Sequence, residues 1–176
     1  MKKIFVNGYG SIGSRITKFI KDDPDIDIVG IGKHSANEKV QHVIDDGLSV
    51  YVPKDKIDNF KNYDISGSIE SALDDCDLVI DASPGGNGFV NKKNIYEPKG
   101  IKAIFQGGET IFNDKSVADI LFNSRVNYAE AFDKNYVMQG SCNVTGMGRI
   151  LNPLREKYSD KLSRFDATLI RRWADL

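Results

Sequence analysis

The chain has 176 residues, a formal net charge of −1, 40% hydrophobic residues and 28% charged ones, enough for one generous domain, or one domain plus the beginning of a second, with a real core. The charge balance gives no electrostatic case for nucleic acid, and no apolar run reaches transmembrane length. Met1 to Val6 meets Asn7 and Gly8 too early to form the apolar core of a signal peptide.

Lys2 to Asn7 opens as a β-type run, because Ile4, Phe5 and Val6 are consecutive and apolar. Such a run suits a strand buried on both faces, as in a parallel sheet. Gly8-Tyr9-Gly10-Ser11-Ile12-Gly13 follows at once. A helix is expected next, with Ile12, Ile16, Phe19 and Ile20 on its inner face and a stop at Asp22-Asp23-Pro24. Ile26 to Ile31 is the second strand. GxGxxG between a strand and a helix, inside a βαβ unit of about 30 residues, is the dinucleotide fingerprint. Gly8 permits the tight turn, Gly10 lets backbone approach a pyrophosphate, and Gly13 lets helix and strand pack closely. The helix N-terminus then faces the anion. The alternative is a glycine-rich turn that holds no ligand.

About 20 residues past the fingerprint, an NAD-preferring site carries Asp or Glu for the ribose hydroxyls. Here the second strand ends Gly32-Lys33-His34-Ser35, with no acid. A lysine, a histidine and a hydroxyl can instead hold a 2′-phosphate, so NADP is expected to be accepted. The competing reading of Lys33 is a solvated charge at a strand end.

Asn37 to Asp46 reads as a helix with Val40, Val43 and Ile44 inward and Gly47 as its stop. Leu48 to Val52 is a third strand, Lys54 to Tyr63 a short helix and surface loop, and Ile69 to Leu73 a short helical piece. Leu78-Val79-Ile80 is a further buried strand, followed by the small residues of Asp81 to Gly86, a second wall for a ligand cleft. Cys76, just before it, reads as structural. Asn91 to Tyr96 is expected to be helical, broken by Pro98 and Gly100, and Lys102 to Gln106 is a strand leading into Gly107-Gly108-Glu109. Asp114 to Phe122 suggests a helix with Val117, Ile120 and Leu121 on one face, and Val126 to Tyr128 a short strand. Tyr136 to Met138 leads to Ser141 and Cys142.

Ser141-Cys142-Asn143-Val144-Thr145-Gly146 places a cysteine at the start of an apolar stripe of Met147, Ile150, Leu151, Leu154 and Tyr158, the mark of an amphipathic helix. Unpaired N–H groups and the positive end of the helix dipole at that position favour a thiolate. A nucleophile and a small buried residue stand level on these six residues alone. Pro153 removes one backbone hydrogen bond, so the helix is expected to kink there or to stop short. Phe165 to Ile170 reads as a strand. Cys76 and Cys142 suit free thiols in a reducing cytoplasm better than a disulfide. Two histidines, with no CxxC or HxxxH spacing, leave a metal site without support. Alternating strands and helices point to an α/β fold, a Rossmann-type doubly wound parallel sheet.

Asn7 to Gly13, Ala103 to Glu109, Ser141 to Gly146 and the closing Arg171-Arg172-Trp173-Ala174-Asp175 together resemble the archaeal-type (type II) phosphorylating glyceraldehyde-3-phosphate dehydrogenases. The match runs in order along essentially the whole chain. The resemblance implies oxidation of glyceraldehyde 3-phosphate with NAD or NADP and inorganic phosphate to 1,3-bisphosphoglycerate, in glycolysis or gluconeogenesis. It implies Cys142 as nucleophile, Ser141, Cys142 and Asn143 at the substrate, and Ser11, Ile12 and Gly108 at the cofactor, beside Gly8, Gly10, Gly13 and Lys33. Its arginine pair matches a ligand-binding region in which either guanidinium could hold a substrate or a cofactor phosphate, and Arg171 is assigned here to the substrate and Arg172 to the cofactor. It also implies a cytoplasmic homotetramer at full length. On this reading residues 1–140 are the NAD(P)-binding domain, and 141–176 are the cysteine helix and first strand of an incomplete α+β catalytic domain. The family's general base is a histidine for which this chain has no counterpart, since its histidines are His34 and His42. A truncated chain is therefore expected, its activity alone in doubt. The alternatives are a non-catalytic NAD(P)-binding module or a related semialdehyde dehydrogenase.

Overall fold

A computed structural model describes residues 1–106 and 108–170. Eight strands form one sheet in which every pairing is parallel. In chain order they are β1 (Lys2–Asn7), β2 (Ile26–Gly32), β3 (Val50–Val52), β4 (Gly67–Ser68), β5 (Leu78–Asp81), β6 (Lys102–Gln106), β7 (Ile120–Phe122) and β8 (Tyr136–Gln139). The helices are α1 (Ser11–Ile20), α2 (Lys39–Asp45), α3 (Ile69–Ala72), α4 (Asn87–Asn91), α5 (Glu97–Lys99) and α6 (Cys142–Tyr158). A π-helical turn, Lys92–Tyr96, joins α4 to α5, and a 3-10 helix, Lys54–Phe60, follows β3. The spatial order β4-β3-β2-β1-β5-β6-β8-β7 is a doubly wound Rossmann-type arrangement that reverses direction between β1 and β5.

Successive side chains of a strand point to opposite faces, and both faces of this sheet are covered. Phe5 packs with Leu73, Tyr96 and Phe105 on one side. Val6 packs with Ile31, Val40, Val43 and Phe60 on the other. This is why the central strands read as unbroken apolar runs. Val40 and Val43 are fully buried, each contributing roughly 1.5–3 kcal/mol to the docking of α2.

Several elements differ from the sequence expectation. The 114–122 segment is not a helix. It is a short 3-10 turn, Asn113–Lys115, then an extended stretch that becomes β7. Val117 and Ala118 are buried, and Ile120, Leu121 and Phe122 pair with β8. The expected strand at Val126 to Tyr128 is a turn leading into a 3-10 helix, Tyr128–Ala131, held because Asn127 Oδ1 accepts from the Asn123 N–H, Asn123 Oδ1 accepts from the Arg125 N–H, and the Asn123 carbonyl accepts from the Asn127 N–H. The helix expected from Asn91 starts at Asn87 and runs past Pro98 to Lys99; Gly100, at a φ of 66°, ends it. On α1 the inner face is Gly13, Ile16, Thr17 and Ile20, with Phe19 84% exposed and Ile12 also outward. Small residues let α1 lie close to the sheet, which leaves Phe19 off to one side. α6 runs through Pro153 to Tyr158, but Ile150 and Tyr158 of its stripe are exposed. Phe165 to Ile170 forms no strand and is exposed, for among the described residues no neighbouring strand accepts its backbone.

Candidate functional site

Gly32, Asn7, Asp81, Phe105 and Met138 stand level across five neighbouring strands. One residue further along lie Lys33, Gly8, Ala82, Gln106 and Gln139. The first four line an open cleft of about 620 Å³ at the carboxyl ends of the strands. The fifth comes three residues before Cys142. In open α/β sheets ligands bind in this crevice, where the strand order reverses.

The turn from β1 into α1 forms the middle of the cleft. Gly8 takes a φ of 115°, and a Cβ there would come within 2.7 Å of the Ala82 carbonyl oxygen. A Cβ on Gly10 would meet nothing within 4 Å, so that backbone faces open space. Gly10 is the N-cap of α1; it supplies no side-chain cap, and the first turn carries no acid. The first N–H groups of α1 are thus left for an anion, with the helix dipole behind them. Ser11 and Ile12 line the same cleft.

At the β2 end, Lys33 is only 5% exposed, which removes the solvated-charge reading. Its ammonium donates to Asn37 Oδ1 at 3.1 Å. Burial, and then the neighbouring Lys39, push its pKa below the usual lysine value. Among the described residues no carboxylate lines this cleft. At the other end Gly108 and Gln106 line it beside Gly85. The residues present therefore fit a dinucleotide: a helix N-terminus and an open glycine for the pyrophosphate, a cation at the ribose end, and small residues at β6.

A buried polar chain under the cleft was not visible in the sequence. Asp81 is 2% exposed and accepts from the Ser83 backbone at 3.0 Å, the Ser83 hydroxyl at 2.5 Å, Asn91 at 2.9 Å and the Tyr96 phenol at 2.7 Å. Tyr96 in turn accepts from the Asn7 amide at 2.8 Å, and Asn7 Oδ1 lies 2.8 Å from His34 Nε2. Burial, and then the Asp81 charge, hold the Tyr96 phenol well above its usual pKa. The participants are up to 89 residues apart, and no local spacing marks them.

Cys142 is the first residue of α6 and is exposed. Its neighbour Ser141 caps the helix, its hydroxyl accepting from the Val144 N–H at 3.3 Å. Asn143 is half-buried beside it. Gln139 donates to the Thr145 hydroxyl at 2.8 Å, and Thr145 donates to the Gly140 carbonyl at 3.2 Å, fastening the start of α6 to the end of β8. The Asn123 amide donates to the Thr145 carbonyl at 3.1 Å. Ser141, Cys142 and Asn143 do not line the dinucleotide cleft; they sit one strand beyond it, where Gln106 pairs with Gln139. His34, at the end of β2, is four strands from β8, about 19 Å at the usual strand spacing. His42 is exposed on α2. Neither can take a proton from Cys142. Arg171 and Arg172 lie outside the described residues. Cys76 is structural, half-buried with its thiol donating to the Leu78 carbonyl at 3.0 Å, and burial raises its pKa.

No protein-family model matches the chain. Glyceraldehyde-3-phosphate dehydrogenase of Sulfolobus acidocaldarius is 41% identical over 98% of the chain and 49% of its own length. The Methanococcoides burtonii enzyme of the same name is 38% identical, over 98% of the chain and 50% of that protein. Along nearly its whole length the chain is thus similar to the first half of archaeal glyceraldehyde-3-phosphate dehydrogenases. It spans about half the length of the relatives it matches. Among solved structures, aspartate semialdehyde dehydrogenase with NADP from Candida albicans aligns with a TM-score of 0.53 and 18% identity, over 90% of the chain and 48% of that protein, a likeness of fold. The segments that carry the resemblance fall at strand ends along one edge of the sheet: Gly8 to Gly13 after β1, Gly108 after β6, and Ser141 to Gly146 after β8.

Proposed function

We propose that this chain is the cofactor-binding and nucleophile-bearing part of a phosphorylating glyceraldehyde-3-phosphate dehydrogenase. The observation that carries the reading is the adjacency of β6 and β8. The open end of the dinucleotide cleft at Gln106 and Gly108 stands one strand from an exposed cysteine at a helix N-terminus.

Gly8, Gly10, Ser11, Ile12 and Gly13 would hold the pyrophosphate, Lys33 the ribose end, and Gly108 the nicotinamide end of NAD or NADP, with Arg172 reaching the cofactor from beyond the described residues. When bound, the nicotinamide supplies the hydride acceptor. The Cys142 thiolate adds to the aldehyde carbon of glyceraldehyde 3-phosphate, forming a C–S bond, and this covalent route divides one hard step into two easier ones. Free N–H groups at the start of α6 and the Asn143 amide would stabilise the oxyanion. After oxidation to a thioester, a phosphate oxygen attacks the carbonyl carbon. The C–S bond breaks, releasing 1,3-bisphosphoglycerate and the thiolate. Ser141 and Arg171 would position the substrate. Neither histidine of this chain reaches Cys142, so the proton acceptor comes from outside this sequence, which we read as the first part of a longer, cytoplasmic, homotetrameric enzyme. Residues 1–140 form its dinucleotide-binding unit and 141–176 open its catalytic unit.

The test is to mix the protein with NADP or NAD, phosphate and glyceraldehyde 3-phosphate and follow nicotinamide reduction, for this chain and for it extended to its relatives' length. Turnover by the extended chain that is lost in Cys142→Ser supports the reading. Turnover that survives Cys142→Ser, or failure of either dinucleotide to bind, overturns it.

A further inference from the structure

The polar chain beneath the cleft determines which nitrogen of His34 carries a proton. Tyr96 has one hydroxyl proton and gives it to the Asp81 carboxylate at 2.7 Å. Its oxygen must therefore accept from the Asn7 amide nitrogen at 2.8 Å. That turns Asn7 Oδ1, an acceptor, toward His34 Nε2 at 2.8 Å, so Nε2 holds the proton. Nδ1 has no hydrogen-bond partner among the described residues and is not among the chain's buried unpartnered atoms. His34 lines the cleft next to Lys33 and Ser35, where the ribose 2′ group of a dinucleotide is read.

We propose that His34 is a specificity-determining residue of the cleft, selecting between a 2′-hydroxyl and a 2′-phosphate by its protonation. Neutral, it offers a bare Nδ1 that accepts a hydrogen bond from a hydroxyl. Protonated, it donates through Nδ1 and adds a second cation to that of Lys33, which suits a phosphate. NADP is therefore favoured over NAD more strongly as pH falls. This rests on the dinucleotide reading of the cleft.

Charged groups of both signs face His34. Burial is the largest influence on the ring and lowers its pKa from the usual histidine value, which favours the neutral form at pH 7 in the free protein. The carboxylates of Asp81 and Asp55 oppose this, while the ammonium groups of Lys56 and Lys33 add to it. Asn7 and Tyr96, which lie between His34 and Asp81, are uncharged at that pH. A bound 2′-phosphate would bring negative charge to Nδ1 and draw a proton onto the ring.

Calorimetric titration of the wild type, His34→Gln and His34→Arg with NADP and with NAD, from pH 5.5 to 8, tests this. The phosphate of NADP itself takes up a proton near pH 6, so each variant serves as the reference. The preference of the wild type for NADP, relative to His34→Gln, should rise as pH falls by up to about tenfold per pH unit, the limit for one linked proton. His34→Arg should keep a high NADP preference without that added rise. Binding of NADP near pH 7 should take up a fraction of a proton in the wild type beyond that seen in His34→Gln, read from heats in buffers of different ionisation enthalpy. Equal pH profiles and equal proton uptake in wild type and His34→Gln, with both dinucleotides bound, overturn the role of His34 alone. Failure of the wild type to bind either dinucleotide overturns the cleft reading and this one with it.

Discussion

Gly13 lies so close to Gly8 that a Cβ on residue 13 would sit 1.9 Å from the Gly8 carbonyl oxygen. The obstacle is backbone, which cannot rotate away as a side chain could, so Gly13→Ala must push α1 away from β1. Overpacking of this kind costs typically about 1–3 kcal/mol and occasionally more. Gly10→Ala is different, because a Cβ there meets nothing within 4 Å. It should change stability by less than about 1 kcal/mol while weakening dinucleotide binding, since the methyl group enters the cleft. Urea unfolding and dinucleotide titration of both variants separate the two effects. Similar destabilisation in the two would contradict the assignment.

Cys142 is exposed at the start of α6, whereas Cys76 is half-buried and hydrogen-bonded to backbone carbonyls. Only thiolate is alkylated, and burial holds Cys76 in the thiol form. Native protein treated briefly with iodoacetamide should be labelled at Cys142 and spared at Cys76, as read by peptide mass spectrometry. Unfolding in urea should make both react. Cys142→Ser should leave stability within about 0.5 kcal/mol, as expected for an exposed position.

Tyr96 couples this fold to alkaline pH. Its phenol is fully buried between Asn7 and Asp81, and its folded pKa is raised well above the usual value of 10.0. The sign follows directly. The folded state holds this proton more tightly than the unfolded state does, so the contribution is complete below the unfolded value and is lost as pH rises above it. The wild type should therefore lose stability above about pH 10, with Tyr96 accounting for up to about 1.4 kcal/mol per pH unit. Tyr96→Phe should lack that part of the slope. At neutral pH it should be less stable by about 1–3 kcal/mol, because Asn7 loses its acceptor and Asp81 a donor. Urea midpoints at pH 7, 9 and 10.5 for both proteins measure the difference.

Elements with one dominant local signal were readable in the sequence. Ile4-Phe5-Val6 and Leu78-Val79-Ile80 are short, unbroken and apolar, as strands covered on both sides must be. The glycines of the first turn declared the cleft, because each has its own steric task. Elements that depend on a distant partner were not readable. Val117, Ile120 and Leu121 fit a helical stripe as well as an extended run, a known ambiguity of short apolar segments. Pairing of Ile120, Leu121 and Phe122 with β8 decided it. Phe165 to Ile170 has strand-like residues but no neighbour to pair with among the described residues. At the site, Lys33 and Cys142 announced themselves by type and position. The tautomer of His34 could not be read, because it is decided through Asn7, Tyr96 and Asp81 across three strands and a helix.

Asn123 joins the turn after β7 to the helix that carries Cys142. It is 8% exposed; its amide donates to the Thr145 carbonyl at 3.1 Å, and its Oδ1 accepts from the Arg125 N–H at 3.0 Å. The fit is close, since a Cβ on Gly148 would come within 2.6 Å of its amide nitrogen. Asn152, one turn further along α6, donates to the Arg125 carbonyl at 3.0 Å, so this short turn grips the helix at two points. No apolar residue of α6 is fully buried, its one buried residue being Asn152, which makes these polar contacts the main restraint on where the cysteine sits. Asn123→Ala leaves the Arg125 N–H without its partner and opens a small void under Gly148. It should cost about 1–3 kcal/mol and loosen α6 more than the rest of the sheet. Hydrogen exchange should then show faster amides from Thr145 to Leu151, with those of β1 and β5 changed only by the global loss. Uniform acceleration across all strands and α6 would mean that the helix is held chiefly by its apolar face.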